Sequence, residues 1–291
     1  MGEQAEQWAP QYCDYHMHST ASDGSLSPAA LMQAAWQAGL REVALTDHDT
    51  LNGIDEASDA ANALGLRLIP GMEFSCTWKG FTLHVVALWP QGLTSEAHTL
   101  AESQRQARWA RAAQIVQRLI KCRCPVSLEE ATAEAGGEVP GRPHFARVMV
   151  RKGFVKNTGT AFRKVLGSGK PGDVKRHWPD MEEAIGSLKS AGALTALAHP
   201  FSYKLTRSKR IRLVTAFAEA GGDAVEIVNG WQQPSQIQSI QRTCQELGLK
   251  MSWGSDFHSP GPGWRLGGFS TVPDDVDPLS QCWKVASGIV A

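Results

Sequence analysis

Six of the nine histidines in this 291-residue chain stand in short clusters with carboxylates, glycine or proline beside them. The clusters are Asp14-Tyr15-His16-Met17-His18, Asp47-His48-Asp49, Gly71-Met72-Glu73, His84, Ala198-His199-Pro200 and Gly254-Ser255-Asp256-Phe257-His258. Imidazole and carboxylate together suit zinc, manganese, iron or nickel in hydrolytic enzymes. In an extended segment side chains alternate, so His16 and His18 point to one side. Taken singly, each group has a plainer reading: His84 as a core residue, His199-Pro200 as a strand terminus, Asp23-Gly24 as an ordinary turn. Taken jointly, clusters that recur where apolar strand-like runs end predict a metal site. His98 and His177 have no such company and are assigned to the surface.

The elements that must hold these groups follow from periodicity. A strand is predicted over residues 11–16, and Ser27-Pro28 opens a helix with an N-cap and a proline at its first position. That helix stops at Gly39. Residues 42–46 form a strand, a helix follows to Gly65, and 66–69 is another strand. Residues 71–76 and 81–89 predict a hairpin around Trp78-Lys79-Gly80. A helical block runs from about 95 to 162, with breaks at Pro125, Gly136-Gly137 and Pro140 to Pro143. Helix and strand then alternate: helices over 180–191, 208–220 and 234–247, strands over 193–198, 224–228 and 249–253. This alternation predicts βαβ units with a mostly parallel sheet, closed or nearly closed into a barrel. Asp47-His48, Glu73, His199, and Asp256 with His258 then fall at carboxyl ends of strands, where barrels carry their chemistry.

Composition excludes several classes. An apolar share of 42% is enough for a full core, and the net charge of zero argues no general attraction to nucleic acid or membrane. No apolar run of membrane-spanning length occurs. The six cysteines have no C-x-x-C pair, which fits reduced thiols and a cytoplasmic setting. Residues 1–11 are expected to be a flexible tail, not a signal peptide. Charge is nevertheless divided unevenly: residues 99–179 hold 16 Lys and Arg against 6 Asp and Glu, a net +10 balanced by −10 elsewhere. Arg105, Arg108, Arg111 and Arg118 individually read as a solvated helix face, whereas the whole excess reads as a surface for an anionic substrate. The domain reading is therefore a barrel from 12–98 and 180–291, with a basic helical insertion at 99–179.

These residues carry a resemblance. The sequence resembles the polymerase and histidinol phosphatase (PHP) superfamily through Asp14-Tyr15-His16-Met17-His18-Ser19 with Ser22-Asp23-Gly24, Leu45-Thr46-Asp47-His48-Asp49-Thr50, Gly71-Met72-Glu73, Ala198-His199-Pro200 and Gly254-Ser255-Asp256-Phe257-His258. Their order spans nearly the whole chain. The resemblance implies an α/β fold, a distorted (β/α)7 TIM-like barrel, with the insertion added to it. Gly141-Arg142-Pro143-His144-Phe145-Ala146-Arg147 and Leu166-Gly167-Ser168-Gly169-Lys170-Pro171 are similar to a narrower subgroup of nucleoside 3′,5′-bisphosphate phosphatases, to which 5′→3′ exoribonuclease activity on short RNA is also attributed.

The resemblance further implies two or three divalent metals, manganese foremost, with zinc or iron as alternatives. One would be held by His16, His18, Glu73 and Asp256; a second by Glu73 as a bridge with His84 and His199; a third by Asp23, His48 and His258. Asp14 and Asp47 are expected to orient imidazoles. A hydroxide bridging two metals would attack the phosphorus, Asp256 would accept its proton, and His199 or a metal-bound water would protonate the leaving group. Arg142, His144, Lys170 and Arg207 are expected to bind a second phosphate. The alternatives are a histidinol-phosphate-type phosphatase and a barrel that keeps its metals without catalysis. A nucleotide or short RNA is the expected partner, with no obligatory protein partner and no membrane.

Overall fold

The computed structural model describes residues 8–174, 177–261 and 265–285. A 3-10 turn over Pro10–Tyr12 leads into β1 (Cys13–Asp14), so the expected strand over 11–16 shortens to two residues. Trp8 packs against the barrel core, so the expected loose tail is docked from residue 8 onward; residues 1–7 lie outside the described residues. α1 (Pro28–Gln37) starts as expected: the Ser27 side chain accepts from the Ala30 amide, and Pro28 needs no amide partner there. β2 (Glu42–Leu45) and α2 (Ile54–Leu64) follow, the helix closed by Gly65.

β3 (Arg67–Trp78) merges two expected strands into one of 12 residues. Its first part pairs with β2 in parallel up to Pro70, and from Gly71 it pairs with β4 (Phe81–Leu88) antiparallel. Pro70 sits at the changeover, and its carbonyl accepts from the Trp89 amide. Gly71 is required by crowding: a Cβ would stand 2.9 Å from a Leu88 methyl and 3.0 Å from the Leu45 carbonyl oxygen.

After a long excursion come α7 (Met181–Ser190), β5 (Leu194–Leu197), α8 (Arg207–Glu219), β6 (Ala224–Asn229), α9 (Pro234–Leu247), β7 (Lys250–Gly254) and α10 (Gln281–Val285). The seven strands lie in chain order β1 to β7. The outer strands nearly close the barrel: the Tyr15 amide donates to the Trp253 carbonyl, and the His18 amide to that of Phe257. β4 is the one strand antiparallel to both its neighbours, which is the distortion. Running downward from the rim, β4 delivers His84 near its start, level with the carboxyl ends of the parallel strands.

The excursion contains α3 (Ser95–Lys121), α4 (Leu128–Glu134), α5 (Arg142–Arg151) and α6 (Thr158–Ala161), which runs into a π-helical turn over Phe162–Leu166. It has its own core of Ile115, Leu119, Phe145, Val148, Met149 and Leu166. The expected boundary at residue 99 falls inside α3. Ala97 and Ala101 on that helix belong to the barrel core, and Ala112 onward to the second core.

Candidate metal centre and substrate cleft

Nine side chains from six strands and their following loops converge at the carboxyl rim of the barrel. His16 Nε2 lies 3.3 Å from Glu73 Oε2 and 3.5 Å from Asp256 Oδ1; His18 Nε2 lies 3.2 and 3.3 Å from the same two oxygens. On the other carboxylate oxygen, Glu73 Oε1 is 2.7 Å from His84 Nδ1 and 2.8 Å from His199 Nε2. Asp23 faces His258 Nε2 at 3.3 Å and His48 Nε2 at 3.8 Å. His48 also turns Nδ1 to Glu73 Oε2, at 2.9 Å. The nine residues expected from the sequence thus lie together, with Glu73 central and His48 between two donor groups. The donors fall into sets His16, His18, Glu73, Asp256; His18, Asp23, His48, His258; and His48, Glu73, His84, each within 4.8 Å.

This arrangement fits cations. His16 Nε2, His18 Nε2 and His48 Nδ1 crowd buried Glu73 Oε2 at 2.9–3.3 Å without the alignment of a hydrogen bond, which is costly for polar atoms unless a cation takes their lone pairs. Burial alone would raise Glu73, yet the imidazoles of His48, His84 and His16 outweigh it and hold the carboxyl well below the usual carboxylate range. Burial would likewise raise Asp256, and His16, His18 and His199 reverse it. Carboxylates kept ionised beside imidazoles are the donor chemistry of divalent metals.

Local backbone supports the cluster. His199 (φ 29°) and Asp256 (φ 53°) occupy the left-handed region, uncommon for residues with a Cβ and frequent at functional sites. Gly254 makes room for His16: a Cβ there would lie 2.5 Å from the His16 Cβ. Among the described residues neither Asp14 nor Asp47 hydrogen-bonds an imidazole, although the His18 ring lies close enough to favour the Asp47 carboxylate. Asp14 accepts from the amides of His16, Ser255 and Gly267, and Asp47 from the Ser19 amide and the Ser19 and Ser22 hydroxyls. Both carboxylates therefore fix the loops that carry ligands.

The orienting role falls to Glu226 in β6. Its Oε1 lies 2.7 Å from His16 Nδ1, and its Oε2 accepts from the His199 amide at 2.6 Å and from Asn229 Nδ2 at 3.2 Å. Half-buried Tyr203 adds a second brace, its hydroxyl accepting from the His84 amide at 2.9 Å. Neither was anticipated, although an acid in the apolar run Ala224-Val225-Glu226-Ile227-Val228 was the available signal.

Beside the donors a cleft is lined by Asp23, His48 and His84 from the barrel, and by Arg108, Arg111, Arg142, Phe162 and Trp178. Arg108 Nε donates to Asp49 Oδ2 at 2.7 Å, Arg111 Nε to the Val174 carbonyl at 2.9 Å, and Arg142 to the Leu166 carbonyl at 3.3 Å. Arg108 and Arg111 are therefore not a solvated helix face. Burial, with Arg142 and Arg108 alongside, lowers Arg111 to about 9. Of the four expected phosphate binders only Arg142 lines this cleft. Lys170 is exposed in a turn where its amide donates to the Gly167 carbonyl, and Arg207 is exposed in the first turn of α8. His144 is buried and caps α5, its Nδ1 accepting from the Gly141 amide at 2.9 Å.

Comparison with known proteins agrees with this geometry. Residues 14–127 match the PHP domain. A 5′-3′ exoribonuclease of Haemophilus influenzae is 41% identical over 267 residues, 91% of this chain and 97% of that protein. A 3′,5′-nucleoside bisphosphate phosphatase of Chromobacterium violaceum is 35% identical, over 93% of this chain and 95% of that one. A solved structure from Chromobacterium violaceum, described as an amidohydrolase with bound sulfate and no metal, superposes with a TM-score of 0.84 at 33% identity, covering 94% of this chain and 96% of that chain. With its donor cluster at the rim of a nearly closed seven-stranded barrel, the chain belongs to the PHP domain family and is a hydrolase.

Proposed function

We propose that the protein is a metal-dependent phosphoesterase that removes the 3′-phosphate of nucleoside 3′,5′-bisphosphates and releases 5′-nucleotides from short 5′-phosphorylated RNA at one site. The observation that carries this reading is the pairing of three cleft arginines, Arg108, Arg111 and Arg142, with the donor cluster. His16, His18, Glu73 and Asp256 would hold one divalent metal, Glu73, His84 and His199 a second, and Asp23, His48 and His258 a third. Manganese is the metal we favour, because carboxylates sit in every donor group. Bound metals supply an activated water at neutral pH and neutralise phosphoryl charge. Asp256 has the most open carboxylate of its donor set and would orient the attacking water and take its proton. His199, with Nε2 against Glu73, would serve as a ligand.

The arginines would fix the 5′-phosphate. A guanidinium carries five N–H donors, so Arg142, which bonds the Leu166 carbonyl and faces Asp173 Oδ1 at 3.6 Å, keeps donors for a phosphate. Both substrates then present the same atoms: a 5′-phosphate among arginines and a 3′-linked phosphorus at the metals. Water would attack that phosphorus, giving its proton to Asp256, and the bond to the 3′-oxygen would break, the leaving oxygen taking a proton from solvent. A nucleotide substrate and buried thiols at Cys76 and Cys244 support a cytoplasmic setting.

The test is kcat/KM for a nucleoside 3′,5′-bisphosphate against a simple phosphate ester. A contact to a charged group contributes about 1.5–3 kcal/mol, so Arg142→Ala should cost the bisphosphate roughly 10- to 150-fold and the simple ester little. Equal losses on both substrates would assign Arg142 to the fold. A wild-type enzyme with no preference for the bisphosphate would overturn the reading.

A further inference from the structure

Trp231 is the most exposed large apolar side chain among the described residues, at 63%. Isolated exposed apolar groups such as Trp36 on α1 need no explanation. Trp231 differs in its place and in how firmly its loop is held. It follows β6 at the carboxyl rim, where the Gly230 amide donates to the Gly254 carbonyl and the Ser270 amide to the Gly230 carbonyl. The Asn229 amide donates to Gln232 Oε1 at 2.7 Å, and the Gln232 amide to Ser270 Oγ at 2.8 Å. Gly254 packs on His16, so the braced loop that carries the exposed indole is tied to the strand end beneath a donor residue. On the adjoining β5–α8 loop and first helical turn, Lys204, Arg207 and Lys209 are exposed. The arginine cleft lies on the other flank, over Ser75 and Thr82 of β3 and β4.

We propose that Trp231 is a stacking platform for a base on the 3′ side of the scissile phosphate, with Arg207 and Lys209 along the same strand's backbone. An indole beside exposed cations is how single-stranded nucleic acid is held without sequence preference. The inference rests on the phosphoesterase reading above and deepens it: the 5′ end enters the arginine cleft, and the remaining strand leaves across the β5–β6 rim. Trp231 is then a specificity determinant for oligonucleotides and irrelevant to mononucleotides.

The experiment compares the metal-loaded wild type with Trp231→Ala and Trp231→Phe on two substrates, a nucleoside 3′,5′-bisphosphate and a 5′-phosphorylated single-stranded RNA octamer. Trp231→Ala should lower kcat/KM on the octamer about tenfold or more and leave the bisphosphate within about twofold, while Trp231→Phe keeps most of the octamer activity. Affinity for a phosphorothioate octamer, read by fluorescence anisotropy, should fall in parallel. Arg207→Ala with Lys209→Ala should flatten the salt dependence of that binding. Equal loss on both substrates, or an unchanged octamer, overturns the proposal. If the wild type hydrolyses neither substrate, the phosphoesterase reading fails by itself; an octamer affinity unaltered by Trp231→Ala then still overturns the role of Trp231.

Discussion

Replacing Glu226 by glutamine tests the electrostatic logic of the centre without altering its volume. The carboxylate accepts on both oxygens, facing His16 Nδ1 on one side and the His199 amide with Asn229 on the other. A glutamine offers one oxygen and one NH2 group. With the oxygen toward His199, the NH2 faces His16 Nδ1 and makes that nitrogen the acceptor. The proton then sits on His16 Nε2, the atom aimed at Glu73 and Asp256, which leaves no lone pair for a metal. With the oxygen toward His16, the NH2 confronts the His199 amide and Asn229, donor against donor. Either orientation loses a hydrogen bond to a charged group, about 1.5–3 kcal/mol, equivalent to roughly 10- to 150-fold in metal affinity. That range overlaps measured outer-shell effects. Metal dissociation constants from chelator competition give the affinity, and phosphate release at saturating metal gives the residual turnover. Wild-type affinity and wild-type turnover in Glu226→Gln would refute the claim that this carboxylate sets the His16 tautomer.

Two further outcomes follow from the site. Glu73→Gln should fold normally but lose more than about 100-fold in kcat, beyond the usual outer-shell range, with metal content reduced on elemental analysis; near wild-type kcat with saturating manganese would show that Glu73 does not bridge. Burial holds the His144 imidazole down at about 4, so the unfolded chain binds more protons between pH 6.5 and 4. The stability is therefore complete above pH 6.5 and lost as pH falls, by up to about 3 kcal/mol. Gln is a natural capping-box residue and does not titrate, so His144→Gln should flatten this fall in urea denaturation at pH 7 and 4.5; parallel profiles for the two proteins would refute it.

Most of the candidate donors were legible because they stand in short motifs at the ends of apolar runs, Asp14 to His18, Asp47-His48 and Asp256 to His258 among them, whereas His84 lies alone between Leu83 and Val85. Barrel architecture was legible for the same reason, since helix and strand periods alternate visibly. Pairing was less so. Nothing in residues 66–76 marks Pro70 as a partner change within one strand, because only β4 on the far side makes it so. Arg108 and Arg111 looked like any solvated face of α3; their roles depend on Asp49 and Val174, which tertiary packing brings to them. His144 carried a motif signature that pointed to substrate, and its capping of α5 shows that local helix chemistry claimed it first. Glu226 was the opposite case, an isolated acid in a buried strand with no motif to flag it.

The long helix α3 has a mechanical consequence. At a rise of 1.5 Å per residue its 27 residues extend about 40 Å, and its first turns are rooted in the barrel core while its last belong to the insertion core. A hinge between the two bodies would have to break this helix, and Gln104 and Arg108 further rivet it to buried Asp49. The arginine wall is thus a fixed jaw set against the candidate metal donors, with the gap between them written into the length of one helix.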